Sequence, residues 1–337
     1  MDPNGMFWSE SLAATFGVDQ IQKYDKGVSL VRDRIPGVMA DTVVRLFGRG
    51  EAFDSEGFIG FFSDKPMYQF GNGEPCLTKA AIKESVDAFF GSVDALYHDI
   101  RNIREVGDVV FVEMDVIYWR KDGTSVSLIC SDIFRFEGHE IQELRIFMDA
   151  NPIFDRSMAV GDKASVMTMG EGKQVTPPGI MKRYFTEHEE GVARAANGFA
   201  PKWSLAGPKW PVVPKMQILK AFKAAIGAGD WNLVRSFLTE DAILRVGNRA
   251  EVVGPQAILD TWLNLFTNEL RTTNANFTGV WDPPDNVLIV EMNVQATRLR
   301  DGQAVEYPCV DTYRFEGQKI NEWRIYPVEA TLLAAEF

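Results

Sequence analysis

The sequence predicts an α+β protein built twice: two tandem cone-shaped α+β barrel domains, each a curved antiparallel sheet packed on helices. Three observations predict it. The stretch "DIFRFEGHEIQELRIF" (132–147) returns as "DTYRFEGQKINEWRIY" (311–326), identical at nine of sixteen positions. The likeness continues upstream, where "FFSDKPMYQFGN" (61–72) matches "FLTEDAILRVGN" (237–248) and "VVFVEMDVIYWRKDG" (109–123) matches "VLIVEMNVQATRLRDG" (287–302). Within each copy, helical spacing of apolar residues comes first and strand alternation later. The offset between copies drifts only from 176 to 179 residues, so small insertions separate them. A unit of about 110–120 residues is too long for a solenoid repeat and reads as a duplicated domain.

The elements follow in order. "QILKAFKAAIGAGDWNLVRSFL" (217–238) spaces its apolar residues as two helices, with Gly229-Asp230 between them. A short strand ends at Gly71-Asn72 in the first copy and at Gly247-Asn248 in the second. A third helix is predicted over 78–93 and again over 255–266. Three or four long strands then follow, "DVVFVEMDVIYW" alternating most clearly. "KDG", "RDG" and the two "FEG" stretches supply hairpin turns. The repeat places one domain at 38–153 and the other at 214–337, after an N-terminal extension (1–37) and around a linker (154–213). In that linker "EHEEGVARAANG" has the look of a helix, and "PKWSLAGPKWPVVPK" reads as extended chain packed down as a lid.

Composition narrows the partners. Of 337 residues, 46% are hydrophobic and 24% charged, ordinary for a globular protein. A net charge of −12 argues against nucleic acid or an anionic membrane, which need clustered Lys and Arg. The start "MDPNGMFWSE" shows neither a basic region nor an apolar core of a signal peptide, and no run suits a membrane span, so a cytoplasmic protein is expected. The three cysteines are scattered, which argues against a disulfide framework. The three histidines (His98, His139, His188) have no metal-site spacing. "GEGK" at 170–173 lacks the rest of a phosphate loop, and no nucleophile elbow is present. The expectation is therefore a reaction without metal or cofactor.

The stretches "YQFGNGEP", "AAIKESVDAFF" and "SDIFRFEGHEIQELRIF" resemble the SnoaL-like branch of the nuclear transport factor 2-like superfamily. That group includes ketosteroid isomerases, limonene epoxide hydrolases and polyketide cyclases. The resemblance implies a cone in which sheet and helices enclose one apolar pocket, with dimers packed sheet to sheet. A tandem chain could form that pair internally, and a further homo-oligomer stays open. Asp132 aligns with the acid that ketosteroid isomerases keep protonated, while their general base falls at Phe70. Asp115 aligns with the acid of limonene epoxide hydrolases and Tyr68 with their tyrosine, but their other two polar positions fall at Ile146 and Phe70. Neither mechanism transfers whole.

The expected site therefore lies in the first copy. Tyr68, Asp115 and Asp132 are its catalytic candidates, because a carboxyl in an apolar pocket can exchange protons near neutrality. By strand alternation Glu113, Ile117 and Trp119 share a face with Asp115, Phe134 with Asp132, and Ile146 and Met148 with Leu144. Phe70 and His98 complete the substrate-binding set, and Tyr118 and Arg120 are expected outside the cone. Bland readings stand beside these. Asp132 and Asp311 could brace a hairpin, Glu113 and Glu291 recur as if structural, and His98 suits a satisfied strand edge. The second copy has Leu244, Val246, Asn293 and Ile325 where the first has Tyr68, Phe70, Asp115 and Ile146, and only Asp311 and Glu291 persist, so it reads as scaffold. The expected activity is acid/base chemistry on a hydrophobic, aromatic small molecule. The tandem layout is similar to formaldehyde-releasing lyases of lignin-derived diarylpropane diols and to tandem polyether epoxide hydrolases. A carrier without catalysis is the other reading.

Overall fold

Asp54 and Asp230 sit one repeat offset apart, and each starts a short helix. Asp54 accepts a hydrogen bond from the Gly57 backbone N–H at 2.9 Å, and Asp230 accepts one from Leu233 at 3.0 Å. These caps fix the same opening in both copies of the computed structural model, which describes residues 38–71, 73–154, 192–193, 214–283 and 285–328. The expected extension at 1–37 and nearly all of the linker lie outside the described residues. In the first copy α1 (Val38–Glu51) and α2 (Ser55–Ile59) lead to β1 (Phe62–Phe70), α3 (Lys79–Ser92) and four long strands. Those are β2 (Val93–Val106), β3 (Val109–Arg120), β4 (Ser125–Glu137) and β5 (Glu140–Phe147), with β6 (Val192–Ala193) added at the edge. The second copy repeats the order: α4 (Pro214–Ala228), α5 (Trp231–Ser236), β7 (Leu238–Val246), β8 (Val252–Val253) and α6 (Pro255–Asn264). A π-helical turn (Leu265–Glu269) leads into β9 (Leu270–Trp281), β10 (Val287–Arg298), β11 (Ala304–Glu316) and β12 (Lys319–Pro327).

The strand orders are β1-β5-β4-β3-β2-β6 and β8-β7-β12-β11-β10-β9. Most neighbours are antiparallel, as expected, but each sheet is mixed. β1 runs parallel to β5 and β7 parallel to β12, because a helix and several strands intervene before the partner arrives. Gly71 and Gly247 end these parallel strands with φ of 56° and 52°, and each backbone N–H bonds back to the carbonyl of Ile146 or Ile325. That left-handed backbone explains why both copies place Gly at this bend. Val192 and Ala193 fall inside the stretch that suggested a helix, yet they extend parallel to β2 at Glu105 and Val106. The open edge of β2 offers backbone hydrogen bonds that override the local spacing.

The described residues form two compact units, in which Phe147–Asn151 groups with the second rather than the first. Each has its own core. In the second, α4, α6 and the inner face of the sheet bury Phe222, Trp262, Tyr313 and Trp323 together. Among the described residues no helix is long and apolar enough to cross a membrane.

Register corrects the expected faces of the first unit. Directly opposed residues of an antiparallel pair point to the same side. Val112 lies opposite Asp132 and Met114 opposite Cys130, whereas Glu113 faces Ser131 and Asp115 faces Ile129. The even-numbered residues of β3 therefore share the side of Asp132 and Phe134. Phe47 of α1 packs 5.9 Å from Phe134 and stacks 4.3 Å from His98, so this is the helix-covered, inner side. Asp115, Glu113, Ile117 and Trp119 occupy the other side, and Tyr118 turns inward, opposite to expectation. Alternation within one strand cannot say which set is inside; the partner strand decides.

Candidate functional site

The inner face of the second sheet gathers a polar cluster. β11 turns Cys309, Asp311 and Tyr313 to one side, and β12 places Ile325 opposite Asp311 and Trp323 opposite Tyr313. On α4, Leu219, Phe222, Lys223 and Ile226 lie at helical spacing, so Lys223 rides on the edge of the apolar stripe and points at the sheet. Its Nζ stands 3.2 Å from Asp311 Oδ2. The Tyr313 hydroxyl donates to the same oxygen at 2.5 Å, and Trp323 Nε1 donates at 3.1 Å. The ammonium also lies 4.5 Å above the Trp323 ring, a cation–π contact that holds its position. Asp311 Oδ1 has the weak Cys309 thiol donor, at 3.4 Å. Three donors on Oδ2 leave that oxygen as an acceptor, so any proton exchanged with a bound molecule goes to Oδ1.

This carboxyl opens onto a cavity of about 680 Å³. Trp231, Trp262, Phe266 and Tyr307 give the cavity aromatic walls, and Met292 and Val294 line the sheet side. Burial and the nearby Cys309 and Asp311 push the Tyr307 hydroxyl well above its usual range. Burial pushes the Tyr313 hydroxyl and the Cys309 thiol up as well, with Asp311 adding to both. These groups stay protonated near neutrality and act as hydrogen-bond donors.

The first unit builds the same frame and fills it. The repeat puts Phe47 where the second copy has Lys223, Phe134 in place of Tyr313, Leu144 in place of Trp323, and Tyr118 in place of Ala296. Phe89 meets Tyr118 edge-on at 5.8 Å and Phe70 at 5.5 Å, closing the interior. Among the described residues this unit has a recess of about 370 Å³ lined by Tyr68, Phe70, Cys76, Ser85 and Phe89 among others. Asp132 does not line it. The Asp132 carboxyl is 2% exposed, and among the described residues its one hydrogen-bond partner is the Cys130 thiol at 3.2 Å. Burial raises its pKa to about 7, against a slight opposing pull from that thiol.

A model of the SnoaL-like domain matches residues 43–144 and again 219–323, more than half of the chain. The chain belongs to the SnoaL-like domain family. No curated protein matches it. Among solved structures, a candidate polyketide cyclase from Pseudomonas putida KT2440 is 21% identical over 33% of this chain and 90% of its own, with a TM-score of 0.30. A nuclear transport factor 2-like protein from Burkholderia xenovorans LB400 is 17% identical over 34% and 88%, with a TM-score of 0.30. TerC, co-crystallised with polyporic acid, is 16% identical over 34% and 90%, also at 0.30.

The residues expected to form a site in the first SnoaL-like domain divide between two faces. Tyr68, Phe70, Asp132, Phe134 and Ile146 lie on the inner side, Tyr68 and Phe70 pairing with Leu144 and Ile146. Burial, then the Asp132 charge, pushes the Tyr68 hydroxyl up. His98 is inward too, but engaged: its backbone N–H and Nδ1 lie 2.9 and 3.1 Å from Glu51 Oε1. On the opposite side Asp115 is paired with Arg101, and Glu113 with Arg104 at 3.0 Å and Asn102 at 3.1 Å. Ile117 and Trp119 are buried on that side. Met148 follows β5 and is buried, grouped with the second unit. Sequence comparison missed Lys223, Tyr313 and Trp323. The signal was present: a lysine on the apolar stripe of α4, and Tyr313 two residues beyond Asp311 on the same strand face.

Proposed function

We propose that the second SnoaL-like domain binds a hydrophobic, aromatic small molecule in its cavity and transfers a proton on it, with Asp311 as the base. The observation that carries this reading is that Asp311 lines the cavity of about 680 Å³, whereas Asp132 does not line the recess of its own domain. A ligand C–H or O–H would give its proton to Asp311 Oδ1, and the charge left on the ligand would meet the Lys223 ammonium beside it. Lys223, Tyr313 and Trp323 hold the carboxylate in place. Isomerisation and cyclisation need no more than this, and family membership supports that class. The finer readings are formaldehyde release from diarylpropane diols and epoxide opening, which would use the same base. Tyr68 and Asp132 form a smaller candidate pair in the first domain, which spans 38–153 in this reading, with the second at 214–337.

A second reading has support of its own. Asp311 is 2% exposed and its Oδ2 is satisfied within the domain, as in a carrier whose buried polar network is structural. Both readings require the cavity to bind. Gly227 lines it, and a Cβ there would meet nothing within 4 Å, so the backbone accepts a side chain and Gly227→Phe is expected to narrow the cavity. Titration of 2-naphthol against tryptophan fluorescence is expected to show at least about tenfold weaker binding in Gly227→Phe. Ser85→Phe, in the recess of the first domain, should leave affinity unchanged. The opposite pattern would place the ligand in the first domain and overturn the reading.

A further inference from the structure

Three hydrogen-bond donors stand on the inner face of β11: Tyr307, Cys309 and Tyr313. Two of them already have an acceptor. Tyr313 and Cys309 both give their hydrogens to Asp311, at 2.5 and 3.4 Å. Tyr307 is the third. It lies four residues before Asp311 with no break in register and opposite Val294 of β10, so its side chain leaves the sheet on the side of Asp311. It lines the cavity and is 8% exposed. Among the described residues its hydroxyl has no hydrogen-bond partner. The first copy has Leu128 at this position, fully buried in an interior that is filled. The hydroxyl therefore belongs to the copy that has the cavity. Tyr307 and Asp311 are two pleats apart, about 13 Å along the strand. Between them Cys309 and, on β10, Met292 line the cavity as a less polar middle.

We infer that Tyr307 is a specificity-determining residue: it donates a hydrogen bond to an oxygen at the end of the ligand remote from Asp311, and so selects two-ring aromatic molecules that carry a phenol or carbonyl oxygen at that end. The inference rests on the proposed use of the second domain's cavity and adds the ligand's length and its second polar group. Burial, then the nearby Cys309 and Asp311, keeps the hydroxyl protonated, so it gives a hydrogen rather than takes one. A ligand that fills the cavity shuts out water and must supply the acceptor itself. A molecule that lacks one leaves a buried donor unpaired, and that cost is what discriminates. The Lys223–Asp311 pair cannot read this second group, because it lies at the other end of the same strand face.

Two probes test this: para-acetylbiphenyl and its para′-hydroxyl derivative, which share a two-ring frame and an enolisable ketone and differ in the far oxygen. Titrated against the tryptophan fluorescence of the full chain, the hydroxylated probe is expected to bind about tenfold more tightly, the scale of one buried hydrogen bond. Tyr307→Phe keeps the ring and should erase that preference while leaving the affinity for para-acetylbiphenyl unchanged. Tyr307→Leu, with the first copy's residue, should erase the preference as well. Equal affinities in the wild type, a preference that survives Tyr307→Phe, or an equal loss for both probes would each overturn the inference while the cavity reading stands. Gly227→Phe reports on that reading separately: if it weakens neither probe, the cavity is not the binding site and both readings fall together.

Discussion

Trp323→Ala is expected to destabilise the second domain by about 3–5 kcal/mol, the range for removing a large aromatic side chain from a packed core. Trp323 is 1% exposed. Its ring stacks on Trp262 at 4.8 Å and on Tyr313 at 5.4 Å, and meets Phe222 edge-on at 5.2 Å. Alanine leaves a cavity among these rings and removes the Nε1 donor from Asp311. Trp323→Phe separates the two losses. It keeps most of the packing and leaves Asp311 short of one donor, so about 1–3 kcal/mol is expected. Chemical denaturation followed by circular dichroism checks both values. A loss below about 1 kcal/mol for Trp323→Ala would mean that the ring cluster is not the centre of that core.

Asp132→Asn should change the stability of the first domain in a pH-dependent way. Burial lifts the folded-state pKa of Asp132 from 3.8 to about 7. Below the lower value both folded and unfolded chains hold the proton, and the group is neutral to stability. Between the two values the unfolded chain ionises while the folded one retains its proton, so wild-type stability falls as pH rises. Above about 7 the loss is complete and levels off. The gap between 3.8 and about 7 corresponds to at most about 4 kcal/mol. Tyr68, Tyr118 and Cys130 share this interior and are all pushed upward by burial, so none titrates in the window. Asparagine does not titrate. Relative to wild type the variant should therefore gain with rising pH, by up to about 4 kcal/mol between pH 4 and pH 8. Its own amide, short of partners, sets the offset at low pH but not the slope. Parallel stability curves would show that Asp132 is not the desolvated carboxyl described above.

Much of the fold was legible because duplication supplied an internal comparison. The bend at Gly71 recurs at Gly247, and the helix over 78–93 recurs over 255–266, so these elements were read twice. The mixed sheet was not legible. Nothing in "DKPMYQF" says that its neighbour is the last strand of the domain rather than the next, because pairing between distant segments has no local signature. The site was harder still. A strand such as Val109–Arg120, buried along its whole length, carries inner and outer sets that look equally apolar, and its two acids, Glu113 and Asp115, both fall on the outer one. Asp115 drew attention as an acid on a hydrophobic strand, but its partner, Arg101, lies on a different strand and the opposite face from Asp132. The second copy looked poorer because Leu244 and Asn293 stand where the first has Tyr68 and Asp115. The same copy also exchanges Phe47 for Lys223 and Tyr118 for Ala296. Those substitutions open a cavity and give its carboxyl a counter-charge, and volume of that kind emerges only from packing.

The most direct test of the central claim is turnover by the purified protein, without added cofactor, on enolisable aryl ketones, diarylpropane diols and aryl epoxides. Wild type, Asp311→Asn and Asp132→Asn are compared at one pH, with product mass and formaldehyde as readouts. The account predicts that Asp311→Asn lowers turnover by at least about 100-fold, the scale of a lost general base, while Asp132→Asn retains it. Turnover that survives Asp311→Asn and disappears in Asp132→Asn would contradict it and return the chemistry to the first domain.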